Sequence, residues 1–265
     1  MSEPSSYHPA ELATVLSYLR VNAVIGWGPL APREEESAAF FADGTRRLQQ
    51  SKRLLLGKQA GRYRFAEATA RIATTLGDPM IVVLTQRREG ATAHTMTHHI
   101  RGTDVVEMTK GKDGNFQIIE HPSLAGAAGA AAAFVGAGAS VVGEPTRIDT
   151  DKATFEKILK LAKTGSADAA TQTLVKLGAT LTAAHSAVSA IRNPSASGVI
   201  SILYCIGNAS VDAEAYAVFT NPADESWVAF QPASGEGPAV LERTSLGALT
   251  ARILVTIGAK MMQPA

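Results

Sequence analysis

The sequence has almost no cysteine. Cys205 is the single thiol in 265 residues, so no disulfide can form within one chain. It lies in the apolar run ISILYCIGN, where a cysteine is most often a small buried hydrophobic residue. The scarcity of cysteine favours a protein of the reducing cytoplasm.

The sequence also lacks an excess of charge of either sign. The formal net charge is +1, which gives no long-range field to recruit nucleic acid or an anionic membrane. Basic residues do cluster in two segments, which we interpret as solvated helix faces: Arg46, Arg47, Lys52 and Arg53, and Lys58, Arg62 and Arg64. The first residues show no basic segment followed by an apolar core, so the pattern predicts no secretory signal.

Long apolar runs with large side chains are absent as well. The longest uncharged stretch, residues 123–143, has about the length that spans a bilayer, but it consists mostly of Ala and Gly. These residues partition weakly into lipid, and they allow close approach between packed elements. We therefore expect a buried, closely packed helix here and no membrane span.

What the sequence does contain is a globular composition, 46% hydrophobic and 18% charged, with helix and strand patterns in a repeated order. In the first half the patterns predict helices at 10–26, 34–57 and 63–79, strands at 80–87, 93–101, 103–109 and 115–121, and a helix at 123–143. In the second half they predict helices at 149–165, 167–178 and 180–191, strands at 199–207, 213–220 and 226–232, and a helix at 239–258.

This order predicts an α+β fold built from two pseudo-symmetric halves, each an antiparallel sheet with flanking helices. We place the halves at residues 1–146 and 147–265 of a single globular unit of residues 1–265. The stretches GNFQIIEHPS (114–123) and ESWVAFQPAS (225–234) have the same outline, and we expect each to be the last strand before a covering helix. The continuous apolar runs MIVVL and VISILYCI predict strands buried on both faces.

The residues most suggestive of chemistry are His94, His98 and His99. On a strand, His94 and His98 share a face but lie roughly 13 Å apart, which is too far for one metal ion. We therefore expect solvated strand histidines, no metal and no cofactor. Glu107 and Glu120 are interpreted as solvent-facing hairpin residues. An enzyme that uses these histidines in a site between the halves stays open as an alternative.

Several segments resemble one known family. RRLQQSKRLLLG, ATARIATTLGDP, MIVVLTQR, DVVEMTKGKDGNFQII and the region from YAVFTNPADE to LTARILVTIG are similar to EspG proteins. That resemblance implies two quasi-symmetric halves and the role of a cytosolic chaperone in type VII (ESX) secretion. It also implies binding of the exposed helical tip of PE–PPE-type substrates, with no enzymatic activity and no cofactor.

Such a chaperone needs an apolar surface with a polar rim to cover a helical partner. The candidate partner-binding residues are Arg87 and Arg88, before the turn of QRREGATA, and Met96, His98 and Ile100 on one face of the next strand. The expected partner is a helical protein, with no nucleic acid and no membrane span, and the oligomeric state is left open. A structural subunit of a larger assembly is a further alternative.

Overall fold

The computed structural model describes residues 3–32, 37–57, 62–90, 92–139, 143–207, 209–231 and 238–262. The first half contains β1 Ser5–Tyr7, α1 Pro9–Tyr18, β2 Ala23–Val24, β3 Gly28–Pro29, α2 Ser37–Gln50, β4 Leu54–Leu56, β5 Tyr63–Phe65, α3 Glu67–Gly77, β6 Ile81–Glu89, β7 Thr92–Arg101, β8 Asp104–Lys110, β9 Phe116–His121 and α4 Leu124–Phe134. The second half contains β10 Arg147–Thr150, α5 Lys152–Thr164, α6 Ala167–Lys176, α7 Leu181–Arg192, β11 Ala196–Ile206, β12 Ala209–Thr220, β13 Ser226–Phe230, β14 Ala239–Thr244 and α8 Leu246–Met261.

One continuous antiparallel sheet of ten strands runs through the molecule. Its order is β1-β9-β8-β7-β6-β11-β12-β13-β14-β10, so each half supplies five neighbouring strands. The halves join where β6 pairs with β11, with Leu84 opposite Ser201. The predicted α+β class is confirmed. The expectation of a separate sheet in each half is corrected, because hydrogen bonds between β6 and β11 join the two five-stranded parts into one sheet.

The order of elements repeats along the chain. Each half runs through one strand, three helices, four strands and one helix, and the first half adds the small pairs β2–β3 and β4–β5. Helix α4 ends at Phe134 and β10 begins at Arg147, while the division after residue 146 stays a prediction.

The two proline-ended strands are not equivalent, contrary to expectation. Strand β13 is followed by a further strand, β14, so β14 rather than β13 occupies the place that β9 has in the first half. The segment AVLERT pairs with both β13 and β10, and α8 begins only after Ser245, whose side chain accepts a hydrogen bond from the Ala248 amide. The predicted helix at 239–258 is corrected accordingly.

Two first-half helices end earlier than the apolar spacing predicts. Helix α1 ends at Tyr18 rather than near Gly26, and Arg20 then adopts a positive φ of 58°. Helix α2 ends at Gln50 rather than at Gly57, and Lys52 has the same φ of 58°. A left-handed residue redirects the chain, so the apolar residues that follow each helix enter short strand pairs instead.

Helices cover the two faces of the sheet differently. The two-helix face packs Ile81, Val83, Ile200 and Ile202 against α4 and α8. The six-helix face carries α1–α3 on the first half and α5–α7 on the second, each group over its own apolar core. The central strands therefore lie between two helical groups on this second face.

Small residues let α4 lie close to the sheet. Its inner side buries Ala127, Ala128, Ala131 and Ala132, as expected, but the helix ends at Phe134 rather than at Gly143. Alanine side chains allow short distances between helix and strand, so the covering layer is thin. Among the residues that the structure describes, no helix has the length and apolar character needed to cross a membrane.

Gly198 lies on β11 at the junction of the two sheet halves, and we expect its substitution to lower the stability of the protein. A Cβ atom there would lie 2.4 Å from the carbonyl oxygen of Gln86 on β6 and 2.8 Å from Val135 Cγ1. We expect Gly198→Ala to lower the free energy of unfolding by about 1–3 kcal/mol, because the backbone of β6 must move to relieve the clash.

The matched control is Gly247→Ala, the same change in the first turn of α8, where a Cβ atom meets nothing within 4 Å. Alanine favours helix over glycine, so we expect a gain of about 0.5–1 kcal/mol there. Urea denaturation of both variants measures the difference. If Gly198→Ala and Gly247→Ala are equally stable, β6 and β11 can move apart without loss of stability.

Candidate functional site

The three histidines of the HTMTHH segment do not come together. His94 is exposed at the end of β7, with Nε2 3.4 Å from Glu89 Oε2. His98 and His99 are both fully buried, and as neighbours on a strand they point to opposite faces of the sheet. The prediction of solvated strand histidines is therefore wrong for His98 and His99, because helices cover both faces of β7.

The predicted partner-binding residues separate into two groups. Met96, His98 and Ile100 are 9%, 0% and 1% exposed, so they offer no surface to a partner in this structure. The reason is that β7 lies between β6 and β8, with α4 over this face. Arg88 is exposed at the end of β6, and its neighbour Arg87 is half-buried with Nη2 3.4 Å from Glu89 Oε1.

A buried polar cluster joins three neighbouring strands on the two-helix face. His98 of β7 and His121 of β9 place their Nε2 atoms 3.2 Å and 2.8 Å from the same oxygen, Oε2 of Glu107 on β8. The interpretation of Glu107 as a solvent-facing residue is wrong: its side chain is 8% exposed. We call these three residues the His–Glu–His cluster.

The electrostatics of the cluster follow from burial and hydrogen bonding. Burial raises the pKa of Glu107, but the hydrogen bonds from His121 and His98 outweigh it and hold that pKa at about 2. Burial also lowers the pKa of His98, and the bond to Glu107 opposes this only in part. We conclude that His98 is neutral and that donated N–H groups keep Glu107 ionised.

The opposite face holds a second buried imidazole. His99 Nε2 lies 3.1 Å from Thr97 Oγ1, and Trp27 donates its indole N–H to the same oxygen at 2.8 Å. Burial lowers the pKa of His99 to about 3, with a smaller effect from His98. The Thr97 hydroxyl, which contacts both Trp27 and His99, ties the β2–β3 hairpin to β7.

Cys205 is buried, as expected, and burial raises the pKa of its thiol to about 11. The thiolate is the reactive form, so we expect iodoacetamide at pH 8 to alkylate native Cys205 about 100-fold more slowly than a free thiol. Labelling in concentrated guanidinium chloride is the control and should restore the ordinary rate. Fast labelling of the native protein, followed by mass spectrometry, would contradict this assignment.

Between the two helical groups, the six-helix face of the sheet carries what we call the central strip. It consists of the outward side chains of three neighbouring strands: Leu84, Gln86 and Arg88 of β6, Val199, Ser201 and Leu203 of β11, and Ala213, Ala215 and Ala217 of β12. Val199 is 38% exposed at its middle. The strip crosses the junction of the two halves, so both contribute to it.

Two walls make the central strip concave. On the second-half side, Phe155 and Leu159 of α5 line a cleft of about 220 Å³ together with Val199, Ala217 and Phe219. On the first-half side, the β2–β3 hairpin approaches so closely that a Cβ atom on Gly26 would meet Leu84 and Thr97. Gly26 has a positive φ of 86°, which suits glycine at this close turn.

The chemistry of the central strip suits the binding of apolar protein surface. Arg88 is the one charged residue among its nine, and it lies at one end. Exposed apolar surface that is concave and rimmed by polar residues is typical of protein interaction sites. Sequence reasoning found Arg88 here but missed the other eight, because their shared exposure depends on where the helices pack.

The chain has a duplicated α+β architecture: one ten-stranded antiparallel sheet, two helices on one face and two groups of three on the other. No protein-family model and no curated protein matches the sequence. The structure of the Mycobacterium tuberculosis type VII secretion system chaperone EspG5 in complex with the PE25–PPE41 dimer does match, with a TM-score of 0.68 over 96% of each chain and 9% sequence identity. The chain therefore has an EspG-like fold, as the sequence resemblance implied.

Proposed function

We propose that this protein is a cytosolic secretion chaperone that binds a helical partner protein in the central strip. The observation that carries the proposal is a concave, nearly uncharged surface on the sheet, bounded by Phe155 and Leu159 on one side and the β2–β3 hairpin on the other. A partner helix that covers this strip would remove its apolar side chains from water. The proposed role is binding, without catalysis.

The dimensions of the central strip favour a helix as the bound element. Neighbouring strands lie about 4.8 Å apart, so three strands span about 10 Å, close to the diameter of a helix with its side chains. The alanines of β12 form a low floor that allows close approach. Arg88 at one end offers a cation to an acidic side chain or to the carbonyl end of a helix.

The comparison with EspG5 supports the choice of partner class. EspG5 was captured with the PE25–PPE41 dimer, which shows that a chain of this fold can hold another protein. We therefore take a helical substrate of the PE–PPE type as the client. Arg88 stays in the proposal from the sequence-based candidates, whereas Arg87 and the buried Met96, His98 and Ile100 lie on the opposite face.

Co-expression with a PE–PPE-type heterodimer tests this function. We expect one complex in size-exclusion chromatography with light scattering, and hydrogen–deuterium exchange that slows in β6, β11 and β12 upon binding. The covering helices α4 and α8 serve as the internal control, because they lie on the other face and should exchange as in the free protein. A complex that instead protects α4 and α8 would refute the central strip, and the absence of any complex would refute the client class.

A further inference from the structure

We propose that the His–Glu–His cluster is a binding site for one divalent transition-metal ion, with Zn²⁺ as the best-suited candidate. The ligands would be Nε2 of His98, Nε2 of His121 and a carboxylate oxygen of Glu107. This inference concerns the two-helix face and does not depend on the proposed chaperone function. The observations that carry it are the geometry, the donor set and the burial of the Glu107 carboxylate.

The geometry places three ligand atoms around one point. One atom from each of His98, Glu107 and His121 lies within 4.8 Å of the other two, and the two nitrogen–oxygen distances are 3.2 Å and 2.8 Å. Zinc ligands at about 2.1 Å in a tetrahedron are about 3.4 Å from each other. Outward shifts of about half an ångström would therefore admit an ion between the two rings and the carboxylate.

The donor set selects among metals. Two imidazole nitrogens and one carboxylate oxygen suit Zn²⁺ and its transition-metal neighbours, whereas Mg²⁺ and Ca²⁺ favour oxygen ligands throughout. Three protein ligands leave a fourth position for water, as in open zinc sites. The ligands come from adjacent strands of a rigid sheet, so little conformational order is lost when an ion binds.

The carboxylate of Glu107 needs a compensating positive charge. It is buried on a sheet face covered by α4, whose residues are Leu, Ala, Gly and Phe only. Among the described residues, the ion pairs recorded for Glu107 are those with His98 and His121. A divalent cation supplies that charge directly.

Metal binding through Nε2 would require a change of tautomer at both imidazole rings. In the metal-free cluster each Nε2–H donates to Glu107, and the Nδ1 atoms of His98 and His121 are buried without a partner. Moving each ring proton from Nε2 to Nδ1 frees both Nε2 lone pairs for the ion with no net release of protons.

A polar cleft lies next to the cluster. It has a volume of about 370 Å³, and His121 lines it together with Asp104, Glu120 and Pro122. Arg71 also lines the cleft and forms an ion pair with Glu120 at 2.7 Å.

The test is titration of the metal-stripped, full-length protein with Zn²⁺ by calorimetry, and with Co²⁺ by visible absorption. We expect one ion per chain and the intense bands of a four-coordinate Co²⁺ site. Loss of a residue next to a metal ligand usually costs 10–100-fold in affinity, so Glu107→Gln and His121→Ala should each cost at least about 100-fold. His94→Ala and His185→Ala remove exposed histidines outside the cluster and should leave the affinity unchanged.

Circular dichroism establishes that each variant is folded. If the cluster variants fail to fold, X-ray absorption of the Zn²⁺-loaded natural protein replaces them and should report two imidazole nitrogens and at least one carboxylate oxygen. The absence of micromolar binding would overturn the proposal. The proposal would also be overturned by an adventitious ion only. In that case His94→Ala or His185→Ala would reduce the affinity, and Glu107→Gln would not.

Discussion

Trp227→Ala is expected to lower the free energy of unfolding by about 3–5 kcal/mol, the largest stability effect that we predict for a single substitution. Trp227 is fully buried on β13, in the apolar core beneath α5–α7. Its replacement leaves a cavity the size of an indole in a layer of alanines, such as Ala184 and Ala187, that are too short to fill it. Guanidinium denaturation measures the loss.

The indole also begins a polar chain that the truncation would disconnect. Trp227 donates its N–H to Ser186 Oγ at 3.0 Å, and Ser186 donates to Glu225 Oε2 at 2.7 Å. Burial raises the pKa of Glu225, but hydrogen bonds from Ser186 and Asn221 and the charge of Arg243 bring it below its usual value. Without the indole, the guanidinium of Arg243 loses the ring beside it, which lies 5.2 Å away.

Two controls separate packing from hydrogen bonding. Trp27→Ala truncates the other tryptophan, which is half-buried, and should cost clearly less. Trp227→Phe keeps most of the apolar volume and removes the N–H donor, so we expect a loss near 1–3 kcal/mol. If Trp227→Ala is no more damaging than Trp27→Ala, the core beneath α5–α7 must collapse around the cavity.

Local patterns in the sequence were sufficient for most of the fold. The apolar run MIVVL predicted β6, and the strands predicted at 103–109 and 115–121 correspond to β8 and β9, which pair as a hairpin. These signals depend on contacts close in the chain. The β6–β11 pairing joins segments more than a hundred residues apart, so local patterns could not show that the two half-sheets are one.

The His–Glu–His cluster shows why polar strand residues were placed wrongly. The hairpin prediction brings β8 and β9 together, but a slip of one residue in register would turn Glu107 to the other face, where Val106 and Met108 are buried. The actual register sets His98 opposite Glu107 and His121 opposite Val105, so His121 reaches Glu107 diagonally. The distance between His94 and His98 was estimated along a single strand. Such a distance could not reveal candidate ligands that lie on three different strands.

The central strip depends on tertiary structure even more strongly. Val199 is an apolar residue in the middle of a central strand, and the sequence alone predicts that it is buried. It is exposed because α1–α3 and α5–α7 pack toward the outer strands and leave the middle of the sheet open. An apolar residue exposed in such a place is a better indication of function than any motif in this chain.

Val199→Asp is therefore expected to weaken binding of a PE–PPE-type helical partner by at least about 100-fold, or about 3 kcal/mol, while the free protein stays folded. A partner helix on the central strip would bury the new carboxylate without a counter-charge, and an unpaired buried charge is costly. In the free protein the side chain at this position is 38% exposed, so the carboxylate remains hydrated and the stability changes little.

The matched control is Val255→Asp, the same substitution on α8, where the side chain is 73% exposed on the other face of the molecule. We expect it to leave the affinity unchanged, as measured by calorimetry with the purified heterodimer. Equal losses would mean that the partner contacts α8 or that both variants are unfolded, and thermal melts of the free proteins decide between these. A loss confined to Val199→Asp would require the partner to lie on the sheet itself, because Val199 reaches solvent only between the two helical groups.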